Sequence, residues 1–292
     1  MDTEKCKVLL CAIETGSLTA AAEKLGYTPS GVSRIMAALE EEAGFPLLFR
    51  SRSGVTPTKD CGKLLPVFRE MVHLDEQFRQ ISAEICRLET GVVSVGTSYS
   101  AYYHWLAKMI AEFRSAHPHI EVRLLEGSSS ELCAAMEERR ADFCIISRRE
   151  GNYAWIPLVE DPLMAWVPAD HPLARLPAFP LHAFETEPYI DTYPGQDTDN
   201  ARVFARCRIR PNVQFTSSDS SATYSLVEAG LGVSLNNSLT AKNWSGRVKV
   251  MPLDPPQTVT IGIAVPNSTA MSPAAGKFIA FAKTNVPEPG RT

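Results

Sequence analysis

Apolar positions recur at helical spacing through the first third of the chain. Short apolar runs separated by polar helices follow. Cys6, Leu9, Leu10 and Ile13 share one helical face, and Leu18, Ala21, Ala22 and Leu25 share another. Ser17 has the chemistry of an N-cap for the second segment, and Gly26 that of its stop. Thr28 followed by Pro29 opens a third helix. Its Val32, Ile35, Met36 and Leu39 have the spacing of a core face.

Ser30, Ser33, Arg34 and Ala37 repeat that spacing on the opposite side of the third helix. Side chains this small let a helix sit deep in a major groove, where serine reaches phosphates or bases and arginine forks onto guanine. The helix N-terminus brings its positive dipole end to phosphates, while Glu40, Glu41 and Glu42 lie at the far end. Two helices joined by a glycine turn, the second built in this way, predict a helix-turn-helix. The stretch FPLLFRSRSGVTPT, residues 45–58, then predicts a wing with a basic tip that includes Arg50 and Arg52. Both are placed for phosphates or the minor groove.

From residue 58 to about residue 88 the pattern changes to heptads. Leu64, Val67, Met71, Leu74, Phe78, Ile81, Ile85 and Leu88 alternate spacings of three and four, which predicts a coiled-coil seam. Pro66 is expected to bend this helix near its start. Glu70, Asp75, Glu76, Arg79 and Glu84 are expected to keep the other faces wet. A self-paired helix holds two DNA-reading heads at a set separation, so the expected DNA site is an approximate inverted repeat.

Beyond Thr90-Gly91, strands and helices alternate, which predicts a parallel, doubly wound sheet. Strands are expected at VVSVGT, IEVRLLEG, ADFCIIS, PLMAWVP, EPYIDT, NVQFTS, GVSLNN and TVTIGIAVP. Helices are expected over 102–116, 129–140, 198–207, 220–229 and 272–283. The expected units are 1–58, a winged helix-turn-helix; 59–89, a dimerising linker helix; and 90–292, an α/β domain of two subdomains. Subdomain I covers roughly 90–161 and 266–285, and subdomain II roughly 162–265, with two chain crossings forming a hinge beside a cleft.

The segment GSLTAAAEKLGYTPSGVSRIMAALEEEAGFPLLFRSRSGVTPTKDCGKLL resembles the winged helix-turn-helix of LysR-type transcriptional regulators. The likeness rests on Ser17, Ala21-Ala22, Leu25, Pro29, Val32-Ser33, Leu39-Glu40, Gly44, Leu48-Phe49, Arg52, Thr58 and Gly62; Cys61 stands where the family commonly has alanine. HPHIEVRLLEG, ADFCIIS, ADHPLA and LVEAGLGVSL extend it to the family's effector-binding domain, similar to periplasmic binding proteins. Asn236-Asn237 depart from the usual apolar-proline ending there. The resemblance implies DNA contacts at Thr28, Pro29, Ser30, Ser33, Arg34, Arg50 and Arg52. It also implies paired linker helices, dimers that join into tetramers, a small-molecule effector and an effect on RNA polymerase.

A cleft in such a sheet lies at strand C-termini. Candidate effector-binding residues are Ser98, Tyr99, Ser100, Gly127, Ser128, Ser129 and Ser147 from one half, and Thr192, Tyr193, Thr216 and Ser218 from the other. Hydroxyls at helix starts suit an anion, so an organic acid is the expected effector. Tyr99, Tyr102, Tyr103 and Trp105 at helical spacing are read as core more readily than as an aromatic ligand site.

Composition narrows the alternatives. With 292 residues and a net charge of −4, the chain has room for several domains and no global basic signature. The acidic MDTEKCK start has no apolar signal core, and the uncharged stretch from Pro255 to Gly276 is broken by prolines and glycines. A cytoplasmic protein is expected. No phosphate loop, nucleophile elbow or dinucleotide fingerprint is present, so no enzyme is expected. Neither a cofactor nor a metal is expected: His117 and His119 lack partner ligands, and none of the seven cysteines forms C-x-x-C. Asp191, Asp197 and Asp199 are read as solvated loop acids. Two rivals keep the same C-terminal fold: a redox sensor pairing Cys133 with Cys207, and a ligand carrier, which would not need residues 1–59.

Overall fold

The structure is a computed structural model that describes residues 2–51, 54–86, 89–98, 103–241, 244, 246–267 and 271–285. Its first unit packs α1 (Thr3–Thr15), α2 (Leu18–Leu25) and α3 (Pro29–Ala43) around one core. Val8, Leu9, Ala21, Ala22, Val32, Met36 and Leu39 are fully buried there. The caps are local chemistry. Ser17 Oγ accepts from Ala20 N and Thr28 Oγ1 accepts from Gly31 N, while Gly26 and Gly44 end α2 and α3 in the left-handed region.

The wing is β1 (Leu48–Ser51) paired antiparallel with β2 (Gly54–Pro57). Gly54 has a φ of 125°, and a Cβ on it would collide with Gly16 O. That approach lets Val55 N donate to Gly16 O at 2.8 Å, tying the wing to the α1–α2 turn.

Helix α4 (Lys59–Ile85) is 27 residues long and continuous through Pro66, a rod of about 40 Å. Its faces are less wet than the heptad pattern suggests. Lys7 pairs with Asp75 at 2.8 Å, and Arg139 pairs with Glu70 at 2.5 Å. Gln80 is buried and donates to Val92 O at 2.9 Å. The linker is therefore held by the winged unit on one side and by the C-terminal unit on the other. Along the seam, Leu64 and Met71 pack against the winged core. Val67, Leu74, Phe78, Ile81 and Ile85 are exposed, Phe78 by 70% and Ile85 by 78%. Leu88 lies outside the described residues.

The C-terminal sheet is mixed, not purely parallel. β3 (Gly91–Ser98), β4 (Ile120–Gly127) and β5 (Phe143–Ser147) run parallel. Helices α5 (Tyr103–Ala116) and α9 (Pro273–Thr284) cover one face, and α6 (Ser129–Glu137) covers the other. β5 shows why: Phe143 and Ile145 enter the first core, Cys144 and Ile146 the second, so its apolar run is buried on both faces.

The two halves are joined by a ribbon that pattern reading divided. β6 (Tyr153–Pro168) is a single 16-residue strand, antiparallel to β12 (Thr258–Pro266) from Tyr153↔Pro266 to Pro162↔Thr258. Only its second half was expected as a strand. β12 also pairs antiparallel with β5. In the second half, β10 (Ser234–Asn237) and β11 (Val248–Asp254) pair antiparallel with β6, and β11 pairs parallel with β7 (Phe179–Pro180). VKVMPLD, absent from the strands expected from the sequence, is β11, with Pro252 inside it. β8 (Tyr189–Thr192) and β9 (Val213–Ser217) form a separate parallel pair, flanked by α7 (Asp199–Cys207) and α8 (Ser220–Glu228).

Candidate functional site

Two surfaces stand out, and the first is the outer face of α3. Burying Val32, Met36 and Leu39 turns Thr28, Pro29, Ser30, Arg34 and Ala37 outward, with Ser33 half-buried beside them. Thr28 Oγ1 and Ser30 Oγ are 3.2 Å apart at the helix start. Among the described residues Arg34 has no ion-pair partner, so its guanidinium is available to an external acceptor.

Arg50 projects from β1 and is itself paired, NH2 to Glu40 Oε2 at 3.1 Å. The other Glu40 oxygen accepts from Leu47 N and Leu48 N at 2.8 and 3.1 Å. Glu40 thus fixes where the wing leaves α3, a structural task that its position at the helix end did not reveal. Arg52 lies outside the described residues.

The second surface is a cleft of about 600 Å³, open mouth included, between the two halves of the C-terminal unit. Ser98, Ser128, Ser129, Thr192 and Tyr193 line it as expected. Ser147 sits just beneath, its Oγ 3.3 Å from Ser129 Oγ. Gly127, Thr216 and Ser218 do not line the cleft; Gly127 backs onto Glu131 and Leu132. Tyr99, Ser100 and Tyr102 lie outside the described residues. Trp105 packs against the core and donates to Asn285 O at 3.1 Å, so it is core.

Helix starts converge on the cleft. Ser128 caps α6 in a capping box with Glu131, Thr198 caps α7, and Asp219 caps α8 with Ser220 behind it. Each start carries an acid of its own: Glu131, Asp199 or Asp219. The Ser128 backbone and side-chain hydrogen bonds hold the Glu131 carboxyl below its usual range.

The cleft's charged residues were missed. Arg149, its side chain only 5% exposed, donates to Ser147 Oγ at 2.8 Å and to Asp197 O at 3.1 Å. Its NH2 lies 3.0 Å from Asp199 Oδ1, and its Nε 3.5 Å from Asp197 Oδ2. Asp197 also takes a forked pair from Arg202, 2.6 and 2.6 Å, and a bond from Ser130 Oγ at 2.5 Å. The Arg202 hydrogen bonds, then those of Ser130 and the charge of Arg149, hold the Asp197 carboxyl at about 2. The reading of Asp197 and Asp199 as solvated is therefore corrected. Asn200, Asn236 and Asn237 complete the amide lining, and Asn237 Nδ2 is buried without a hydrogen-bond partner among the described residues.

All seven cysteines are free. Cys133 packs beside the α6 core and burial pushes its thiol up, whereas Cys207 packs in the core of the other half. Among the described residues there is no cluster of His, Cys, Asp or Glu that would hold a metal, and no helix long and apolar enough to cross a membrane.

Comparison with known proteins settles the family. Residues 3–61 match the bacterial regulatory helix-turn-helix protein family of lysR type, and residues 87–287 match the LysR substrate binding domain. The chain belongs to the LysR family of transcriptional regulators. It is 29% identical over 289 residues to the uncharacterized regulator YvbU of Bacillus subtilis, covering 97% of this chain and 98% of that one. It is 28% identical to the probable regulator LrrA of Synechococcus elongatus, covering 99% and 98%. Among solved structures, full-length OxyR from Pseudomonas aeruginosa shares the fold with a TM-score of 0.77 at 19% identity, covering 100% and 99%. CbnR in complex with its target DNA does so with a TM-score of 0.66 at 17% identity, covering 98% and 100%. As a LysR-type regulator the chain couples a DNA-binding head to an effector-binding domain.

Proposed function

We propose that this regulator works in the cytoplasm, without catalytic activity, as a homo-oligomer on an inverted-repeat operator. The observation that carries this reading is one chain presenting two unsatisfied surfaces together. One is the small polar face of α3 with Arg34, unpaired among the described residues; the other is the apolar stripe Val67, Leu74, Phe78, Ile81 and Ile85 along α4. A stripe of that length at heptad spacing is stabilised by burial against a second copy. Two α4 helices side by side hold two α3 helices at a set distance, and the two-fold axis makes the preferred DNA site palindromic.

In each half-site, Ser30, Ser33 and Arg34 meet base edges, while Thr28, Pro29, Arg50 and Arg52 lie at the phosphates. The solved complex of CbnR with its target DNA supports this use of the head. The effector site is the cleft, and its occupant shifts the angle between the halves. That change passes through Gln80 and the Glu70–Arg139 pair to α4, and so to the DNA and RNA polymerase. Fluorescence anisotropy of the full-length protein at graded salt tests the reading. An enriched duplex is expected to bind about 1,000-fold or more tighter than mixed sequence at physiological salt. Equal affinity for both would reject it.

A further inference from the structure

The cleft already contains a carboxylate, and the protein supplies it. Asp197 comes from the segment between β8 and α7, in the second half. Its oxygens are gripped by the Arg202 fork from the same half, and by Ser130 Oγ at 2.5 Å and Arg149 Nε at 3.5 Å from the first half. A forked guanidinium, a hydroxyl at a helix start and a buried second guanidinium are the partners a small organic acid would need. The set is also balanced. Arg149 and Arg202 face Asp197 and Asp199, so among the described residues an added anion finds no spare positive charge unless one internal carboxylate leaves.

Asp199 is the poorer candidate to leave. Its side chain is 9% exposed, sits in the first turn of α7, and accepts from Ser147 Oγ at 2.6 Å. Asp197 is 37% exposed and lies on the loop before the helix. One bond in the cluster is also poor: among the described residues the buried Arg149 Nε has no hydrogen-bond partner, only Asp197 Oδ2 at 3.5 Å. An oxygen placed nearer would bind it better than the tethered one does.

We propose that Asp197 is a tethered carboxylate ligand of the cleft, holding its two walls together until an anionic effector displaces it. This rests on the cleft being the effector site. It accounts for regulation by exchange: the effector trades one carboxylate for another at Ser130, Arg149 and Arg202, and frees the loop ahead of α7. The two states then differ in contacts, as any ligand-driven shift requires.

The test is chemical rescue in the full-length protein. Asp197→Ala leaves a carboxylate-sized space, and sodium acetate is the probe, against sodium chloride at equal ionic strength. The variant is expected to melt about 2–4 °C below wild type. Acetate, and not chloride, is expected to restore the difference saturably, with no such effect on wild type at the same concentration. Asp197→Asn, which fills the space, is expected to melt low without rescue. Ser130→Ala, on the opposite wall, is expected to lower the melting point in the wild-type background and to add little to Asp197→Ala.

Melting of Asp197→Ala at the wild-type temperature, equal responses to acetate and chloride, or full additivity with Ser130→Ala would each overturn the proposal. None of these readouts uses DNA. Their failure would leave the operator-binding reading untouched, and a failure of that reading would appear in the anisotropy titration instead.

Discussion

Gln80 of the linker helix donates to the carbonyl of Val92, the second residue of β3, at 2.9 Å. Its other side-chain atom accepts from Ala274 N at 3.3 Å, at the start of α9. One buried amide therefore joins the rod that carries the DNA-binding head to two elements of the effector-binding domain. Gly91 is small because a Cβ there would press into this amide. Gln80→Leu takes this amide from the half-buried Val92 carbonyl and from the buried Ala274 N–H. A loss of about 2–4 kcal/mol is expected in urea unfolding followed by far-UV circular dichroism.

Arg34 is exposed and, among the described residues, unpaired, so Arg34→Ala is expected to leave the melting temperature unchanged while weakening specific DNA binding by about 1–3 kcal/mol. Arg50→Ala removes the Glu40 pair and, on the proposed docking, a phosphate contact, so it is expected to weaken specific and mixed-sequence duplexes alike. Anisotropy on both duplexes separates the two. Equal, sequence-blind losses for both variants would remove base reading from Arg34.

Phe78 is 70% exposed on the linker seam, so under the proposed α4 pairing a charge there is expected to harm association and not the fold of one chain. Phe78→Asp is expected to retain its circular dichroism spectrum, sediment as a smaller species, and lose operator affinity. A variant that sediments as wild type does would show that α4 is not the pairing surface.

Acid should reveal the Asp197 contact. Its carboxyl is held at about 2, below the unfolded value, so its contribution is complete above about pH 4 and is lost as pH falls toward 2. The gap in melting temperature between wild type and Asp197→Asn is expected to be constant near neutrality and to narrow below about pH 4. A gap unchanged into acid would assign the effect to packing alone.

What was legible in the sequence was local chemistry. The Ser17 and Thr28 caps and the α3 stripes follow from residues within a turn of each other, and the structure shows each; of the α4 seam, Leu64 and Met71 pack on the winged core while Val67, Leu74, Phe78, Ile81 and Ile85 are exposed. The cleft was partly legible because serines at helix starts mark strand ends. Its charges were not. Arg149 meets Asp197 and Asp199 across the cleft from the other half, and nothing beside Asp197 in the chain announces a cation from that side. Thr216 and Ser218 were placed in the cleft by their position at a strand's C-terminal end, but α7 and α8 present Asn200 and Ser220 there instead. The hinge ribbon was expected as a strand only from Pro162; in the structure β6 runs through it as one strand, and Pro162 faces Thr258 at the end of the β12 ladder.

The most direct test of the central account is selection of genomic fragments by the purified full-length protein at physiological salt, followed by sequencing. The account predicts recovery of a small set of inverted repeats whose half-sites are spaced by whole helical turns, about 34 Å or its multiples, and their loss with Phe78→Asp. Weak recovery spread evenly over the genome, unchanged by that substitution, would contradict it.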